Sequence, residues 1–100
     1  MLTGGTPLHV FELDRDTSNI VAVLISYAQN GRVLLRKRTQ DCEIAGNKIS
    51  TRLTQEDTLR FSEDYKVKIQ LKVKLDTGEV IPSDVITKTV MQCIDLEVLE

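Results

Sequence analysis

Apolar and polar residues alternate without a break from Tyr65 to Leu75. Every second position is apolar: Val67, Ile69, Leu71, Val73 and Leu75. The positions between them are polar: Lys66, Lys68, Gln70, Lys72 and Lys74. Because successive side chains of a β-strand point to opposite faces, this pattern predicts a strand with one apolar and one cationic face. The apolar face needs a second sheet to cover it, and the other can face water, as is typical of antiparallel sheets.

Turn signals recur at short intervals along the rest of the chain, which is typical of a sandwich or barrel of short strands. We expect a first strand over Pro7–Leu13 and a second over Ile20–Tyr27. The second is apolar on both faces, so it is either central and covered twice or lies at an interface between subunits. Asn30 and Gly31 both tolerate a positive φ and predict a hairpin turn that leads into a strand over Arg32–Thr39.

The next segment predicts a hairpin followed by a short helical crossover. A turn over Ala45–Asn47 returns the chain antiparallel as a strand over Lys48–Leu53. Thr54, followed by Glu56 and Asp57, has the composition of a helix N-cap and an acidic first turn. We therefore place one helical turn there, which carries the chain from one sheet to the other.

The remaining residues predict a turn, a broken edge and a last strand. Asp76–Glu79 forms a turn after the long strand, and Pro82 breaks the next strand or lies on an edge because it has no amide hydrogen. A final strand covers roughly Asp84–Cys93, and Ile94–Glu100 forms a tail. Six or seven strands with one helical crossover predict an all-β fold, an immunoglobulin-like antiparallel β-sandwich. A small closed barrel is the alternative.

Length and charge narrow the classes of function. With 100 residues, the chain is expected to form a single β-sandwich domain over residues 1–100, with residues 93–100 as a C-terminal tail. The net charge is −2 and no stretch is long and apolar enough to span a bilayer, so we expect neither nucleic acid nor a membrane as a partner. The N-terminus lacks the basic start and apolar run of a secretory signal, so we expect cytoplasmic location on synthesis.

The cysteines and the acidic residues do not predict a metal site. Cys42 and Cys93 are far enough apart in sequence to bridge two strands, but a cytoplasmic chain favours two reduced thiols. Neither a Cys-x-x-Cys pair nor a histidine-rich cluster accompanies them. Glu12, Asp14 and Asp16 form a spaced acidic set, but calcium loops need more oxygen ligands and a glycine at the bend. We expect a solvated turn there.

One triplet, Asp76-Thr77-Gly78, matches a catalytic signature. Dimeric retroviral-type aspartic proteases use this motif, and their chemistry needs two carboxylates that share one proton. Here the triplet lies between two strands, where aspartate and glycine make a hairpin turn. His9, the sole histidine, has no serine or cysteine motif to activate, so we expect it to be partly buried and structural. We predict no enzymatic activity, no catalytic residue and no cofactor.

Basic residues concentrate in Arg36-Lys37-Arg38 and on the lysine face of the long strand. A nucleic-acid footprint would interleave aromatic rings with such charges, and none lies among these lysines. Outward lysines also serve solubility and discourage edge-to-edge pairing of strands. We therefore favour a solvated face over a nucleic-acid interface.

The segment Leu53–Phe61, with the sequence Leu-Thr-Gln-Glu-Asp-Thr-Leu-Arg-Phe, precedes the alternating strand and its Thr77-Gly78 turn. This arrangement resembles one that recurs in prophage proteins of Gram-positive bacteria, and the segments Tyr27–Gly31 and Ser83–Thr87 fit the same pattern. The chain resembles the immunoglobulin-like domains of phage tail and baseplate components, such as the N-terminal domain of upper baseplate proteins. That resemblance implies a sandwich fold, a virion component and no catalytic residue.

The leading hypothesis is a non-enzymatic phage or prophage structural or assembly module that acts through protein–protein contacts in a tail or baseplate. The alternative is a small domain that recognises a partner peptide or cell-surface ligand by adding a strand to an exposed edge. The last strand and tail carry an apolar stripe that predicts a homo-oligomer or docking onto another phage protein, because each branched side chain left exposed forgoes about 1.5–3 kcal/mol. The residues predicted at this interface are Ile86, Val90, Ile94, Leu96 and Val98.

Overall fold

The computed structural model describes residues 5–13 and 16–82 in full and the backbone of residues 86–88. Within these residues the chain forms eight strands, one 3₁₀ turn and one short α-helix. The strands are β1 (Leu8–Glu12), β2 (Ile20–Gln29), β3 (Arg32–Arg38), β4 (Glu43–Ala45), β5 (Lys48–Arg52), β6 (Val67–Leu75), β7 (Val80–Pro82) and β8 (Ile86–Lys88). The 3₁₀ turn, Thr39–Asp41, joins β3 to β4, and helix α1, Gln55–Thr58, joins β5 to β6.

The strands form two antiparallel sheets. One has the order β1-β5-β4, and the other has the order β3-β2-β6 with β7 and β8 both beyond β6. β7 pairs with Lys72–Lys74, and β8 pairs with Val67–Ile69, so the two short strands share one edge of β6. Counted as segments of one edge strand, they bring the total to seven, which agrees with the prediction of six or seven.

The strand order is that of an immunoglobulin-like sandwich. Along the chain, β1 to β6 occupy the positions of strands B, C, C′, D, E and F of a variable-type domain, and the edge formed by β7 and β8 occupies that of strand G. The crossover through α1 carries the chain from the first sheet to the second, as the sequence predicted. The predicted immunoglobulin-like antiparallel β-sandwich is confirmed.

The core lies between the two sheets. The predicted alternation of β6 is confirmed, because Val67, Ile69, Leu71, Val73 and Leu75 are buried while the lysines between them are exposed. β2 is central in its sheet and contributes Val23, Ile25 and Tyr27 to the same core, but no described element covers its other face, so the predicted double cover is not found there. The first sheet closes the core from the opposite side with Phe11 and Ile49.

Tight turns set the register of the two hairpins. Asn30 has φ of 50° and Gly31 has φ of 76°, so the β2–β3 connection is the predicted turn with two positive φ angles. Gly46, with φ of 59°, makes the turn between β4 and β5. Glycine accepts these angles without the steric cost that a Cβ atom imposes.

The helical crossover begins at the predicted cap. The Thr54 hydroxyl accepts a hydrogen bond from the Asp57 amide at 3.1 Å, and the Asp57 carboxylate accepts one from the Thr54 amide at 2.9 Å. This reciprocal pair satisfies two amides that a helix start would otherwise leave unpaired. The Thr58 hydroxyl also donates to the carbonyl of Gly5, which ties α1 to the start of the described chain.

The end of β2 and the start of β6 differ from the prediction, and the Gln29 side chain links the two regions. Gln29 extends β2 beyond Tyr27, and its buried side-chain amide donates to the carbonyls of Ser62 and Tyr65 at 2.7 and 2.8 Å. The side-chain carbonyl of Gln29 accepts a hydrogen bond from the Ser62 amide at 2.9 Å. The loop before β6 is therefore held by a side chain, and β6 begins at Val67 instead of Tyr65.

Several predictions fall outside the described residues. They concern Asp14, most of the final strand over Asp84–Cys93, the thiol of Cys93, and the tail over Ile94–Glu100. Of the predicted interface, only the backbone of Ile86 is described, in β8. The other four members lie outside the described residues: Val90, Ile94, Leu96 and Val98.

Candidate functional site

The Asp-Thr-Gly triplet forms a hairpin turn. The Leu75 amide donates to the Glu79 carbonyl and the Gly78 amide donates to the Leu75 carbonyl, both at 2.9 Å. Gly78 has φ of 91°, and the exposed Asp76 donates its amide to the carbonyl of Asn19. These bonds close the turn between β6 and β7, so the triplet forms the predicted hairpin connection.

His9 is partly buried against the core, as predicted. Its Nδ1 lies 2.8 Å from the hydroxyl of Tyr27, and the two rings are stacked with centroids 5.6 Å apart. Tyr27 is fully buried, and burial is the main reason that the pKa of its hydroxyl is strongly raised, with smaller contributions from Cys42 and Asp57. The pair joins β1 to β2 across the two sheets, which is a structural role.

An ion pair lies between the sheets near α1. The Lys37 ammonium is 2.7 Å from the Asp57 carboxylate, and both side chains are less than 15% exposed. Burial alone would raise the pKa of Asp57, but hydrogen bonds from Lys37 and from the Thr54 amide hold this pKa below its usual value. The ion pair therefore ties the crossover to β3 and takes Lys37 out of the basic surface.

Cys42 is a free, half-buried thiol beside β5. Burial raises its pKa, and a hydrogen bond with Thr51 opposes this only in part. A thiol with a raised pKa is a poor nucleophile and metal ligand. It lines an open depression of about 400 Å³ together with Leu8 and Arg52. No group of three or more metal-binding side chains occurs among the residues that the structure describes.

The outer face of the five-stranded sheet has two basic walls. On β3, Arg36 and Arg38 point outward because Leu35 and Lys37, which alternate with them, point into the sandwich. On β6, three exposed lysines point to the same side: Lys68, Lys72 and Lys74. β2 lies between the two rows, so they stand about 10 Å apart, which is two strand spacings.

The floor between the walls consists of small or apolar side chains on β2: Ala22, Leu24, Ser26 and Ala28. The register places Leu24 directly between Arg38 and Lys72. A depression of about 170 Å³ lies beside Leu24 and reaches Val80, a 54% exposed residue of β7 beyond the lysine wall. We call the five basic wall residues and the four floor residues the basic trough.

The edge of β1 that faces away from β5 is a second exposed surface among the described residues. No described strand lies beyond β1, at the position that strand A occupies in immunoglobulin domains. Leu8 and Val10 point outward from this edge strand and are 50% and 53% exposed. Unpaired backbone groups beside exposed apolar side chains are the features that strand addition uses.

The sequence contained both basic segments but not their arrangement. Arg36-Lys37-Arg38 was interpreted as a single charged run, whereas the strand divides it into two outward arginines and one inward lysine. The strand order β3-β2-β6 then places the arginines across β2 from the lysines. Leu35 and Lys37 alternate with Arg36 and Arg38, and this alternation could have shown that Lys37 faces inward while the two arginines face outward.

Comparisons with protein-family models, with curated proteins and with solved structures find no match to this chain. Among the described residues, no helix is long and apolar enough to cross a membrane.

Proposed function

We propose that this chain is a non-enzymatic structural or assembly module of a phage or prophage tail or baseplate, which acts through contacts with other structural proteins or with copies of itself. The observation that carries the proposal is the basic trough. It combines five exposed cations with an apolar floor on a face that no described element covers.

A lone domain of this fold needs no apolar side chains on the outer face of its sheet. The inner faces of both sheets already supply a continuous core, so stability does not require apolar side chains on the outer face. Leu24 and Val80 nevertheless line one depression there, on opposite sides of β6. Apolar groups rimmed by charges on an exposed face are typical of protein-binding surfaces.

The phage assignment is supported by the sequence resemblance. The segment Leu53–Phe61, on which that resemblance rests, contains the capped crossover α1 and its flanks. The immunoglobulin-like fold agrees with the expected family, although many unrelated functions share this fold. The proposal therefore places the chain in a virion and gives it a binding role without chemistry.

The test is detection of the chain in purified particles. A tagged copy at its own locus would be followed after prophage induction, with particles separated by density gradient and analysed by quantitative mass spectrometry. The proposal expects the chain to co-migrate with tail proteins at a fixed ratio. Recovery only in the particle-free fraction would contradict it.

A second candidate function is recognition of a partner strand at the outer edge of β1. The observation that favours it is that no described strand pairs with this edge, where Leu8 and Val10 are half-exposed. A Val10→Pro variant would remove one amide hydrogen from this edge strand. Loss of partner binding without a change in the free energy of unfolding would support strand addition.

A further inference from the structure

The basic trough also indicates the chemistry of its partner. We propose that the trough binds an acidic amphipathic segment of another protein, an inference that rests on the binding role proposed above. Its apolar side chains would lie on the floor at Leu24, and its carboxylates would face Arg38 on one wall and Lys72 on the other.

The charge distribution is the first argument for an acidic partner. Within the described residues, no ion pair joins any of the five wall cations to a carboxylate. The rest of the sequence is acidic, because without these five residues eight basic residues stand against fifteen acidic ones. Five exposed cations therefore share one face, and clusters of like charge select partners of opposite charge and accelerate encounter.

The register supplies the second argument, since it sets the walls in opposed pairs. Arg38, Leu24 and Lys72 lie side by side across three strands, and Ala22 lies beside Lys74 one step further along. A partner strand or helix that lies along β2 would thus meet a cation on each side of an apolar contact. Arginine can pair with a carboxylate through two parallel hydrogen bonds, which adds orientation to attraction.

The floor favours a polypeptide over a nucleic acid. Single-stranded nucleic acids need aromatic platforms on which bases stack, and the trough contains no aromatic side chain. Small side chains at Ala22, Ser26 and Ala28 allow a close approach of a partner backbone. Leu24 would then be covered by apolar side chains, which nucleic-acid phosphates cannot provide.

The test uses two labelled decapeptides of equal charge, one alternating glutamate with leucine and one alternating glutamate with serine. Binding is measured by fluorescence anisotropy at about 0.15 M salt, which screens electrostatic attraction beyond about 8 Å. We expect saturable binding of the Glu–Leu peptide and binding of the Glu–Ser peptide that is at least fivefold weaker. Arg38→Glu combined with Lys72→Glu should weaken Glu–Leu binding at least tenfold.

The matched control reverses two charges elsewhere, with Arg32→Glu and Lys48→Glu. Both residues are exposed and lie outside the trough, and the control should bind within twofold of the wild type. Thermal unfolding of each variant checks that the fold is retained. Equal loss of binding in the control would overturn the proposal, because net charge would then explain the attraction.

Three further results would also overturn it. These are no binding of either peptide to the wild type, equal binding of the two peptides, and tighter binding of a 20-base-pair DNA duplex that the trough variant abolishes. The last would identify a nucleic-acid interface instead. These outcomes are distinct from failure of the proposed function, since the chain can be present in purified particles whether or not the trough binds acidic peptides.

Discussion

Truncation of Leu71 to alanine tests the sandwich core at its centre. Leu71 is 2% exposed on β6 and lies opposite Ile25 of β2, which is fully buried. The substitution removes three carbon atoms, and at about 0.8 kcal/mol for each buried methylene the lost transfer free energy is about 2.4 kcal/mol.

The cavity adds to this cost. Leu71 lies in a core that also includes Phe11 and Ile49 from the opposite sheet, so strands on both sides hinder collapse into the vacated space. Leucine-to-alanine substitutions in such sites cost about 2–5 kcal/mol in total, and we expect about 3–4 kcal/mol here. This is a large share of the roughly 5–15 kcal/mol that stabilises an ordinary domain.

The assay is urea unfolding followed by circular dichroism, with Lys72→Gln as the matched control on the same strand. Lys72 is exposed, so the control should change the free energy of unfolding by less than about 0.5 kcal/mol. The assigned faces of β6 would be refuted if Leu71→Ala lowered the free energy of unfolding by less than about 1 kcal/mol, or if Lys72→Gln lowered it more than Leu71→Ala does.

Other predictions concern single groups. The pKa of Asp57 is lowered in the folded state, so its ion pair with Lys37 stabilises the fold above about pH 4 and is lost as pH falls through the lowered pKa; Asp57→Asn should flatten the acid limb of the stability profile. The Cys42 thiol should react with Ellman's reagent more slowly in the native than in the unfolded protein. Asp76→Asn should leave the unfolding midpoint nearly unchanged, and wild-type protein should show no pepstatin-sensitive peptide cleavage. The interface predicted at the last strand and tail should make the wild type oligomeric by light scattering, and deletion of residues 94–100 should yield a monomer.

Local patterns predicted much of the fold. The alternation of β6, the Asn30-Gly31 turn and the Thr54 cap each depend on neighbouring residues, and all three are confirmed. A strand with one apolar face also requires a covering layer, but periodicity did not decide between a sandwich and a small barrel; the strand order in two separate sheets does.

What sequence reasoning missed depends on contacts between distant residues. The Gln29 side chain holds a loop 33 residues away, and β6 begins only after this loop, at Val67. The pairing of Lys37 with Asp57 joins two segments that have no sequence signal in common. The basic trough likewise exists only after β3 and β6 are placed on either side of β2, which periodicity within a single strand cannot predict.

The most direct test of binding through the outer face is lysine footprinting of the chain in assembled particles and in free solution. Acetylation with a limiting reagent, read by mass spectrometry, would compare Lys72 and Lys74 in the trough with Lys48 on the opposite sheet. We expect Lys72 and Lys74 to be protected in the particle while Lys48 stays reactive. Equal labelling of the trough lysines in both states would contradict this expectation.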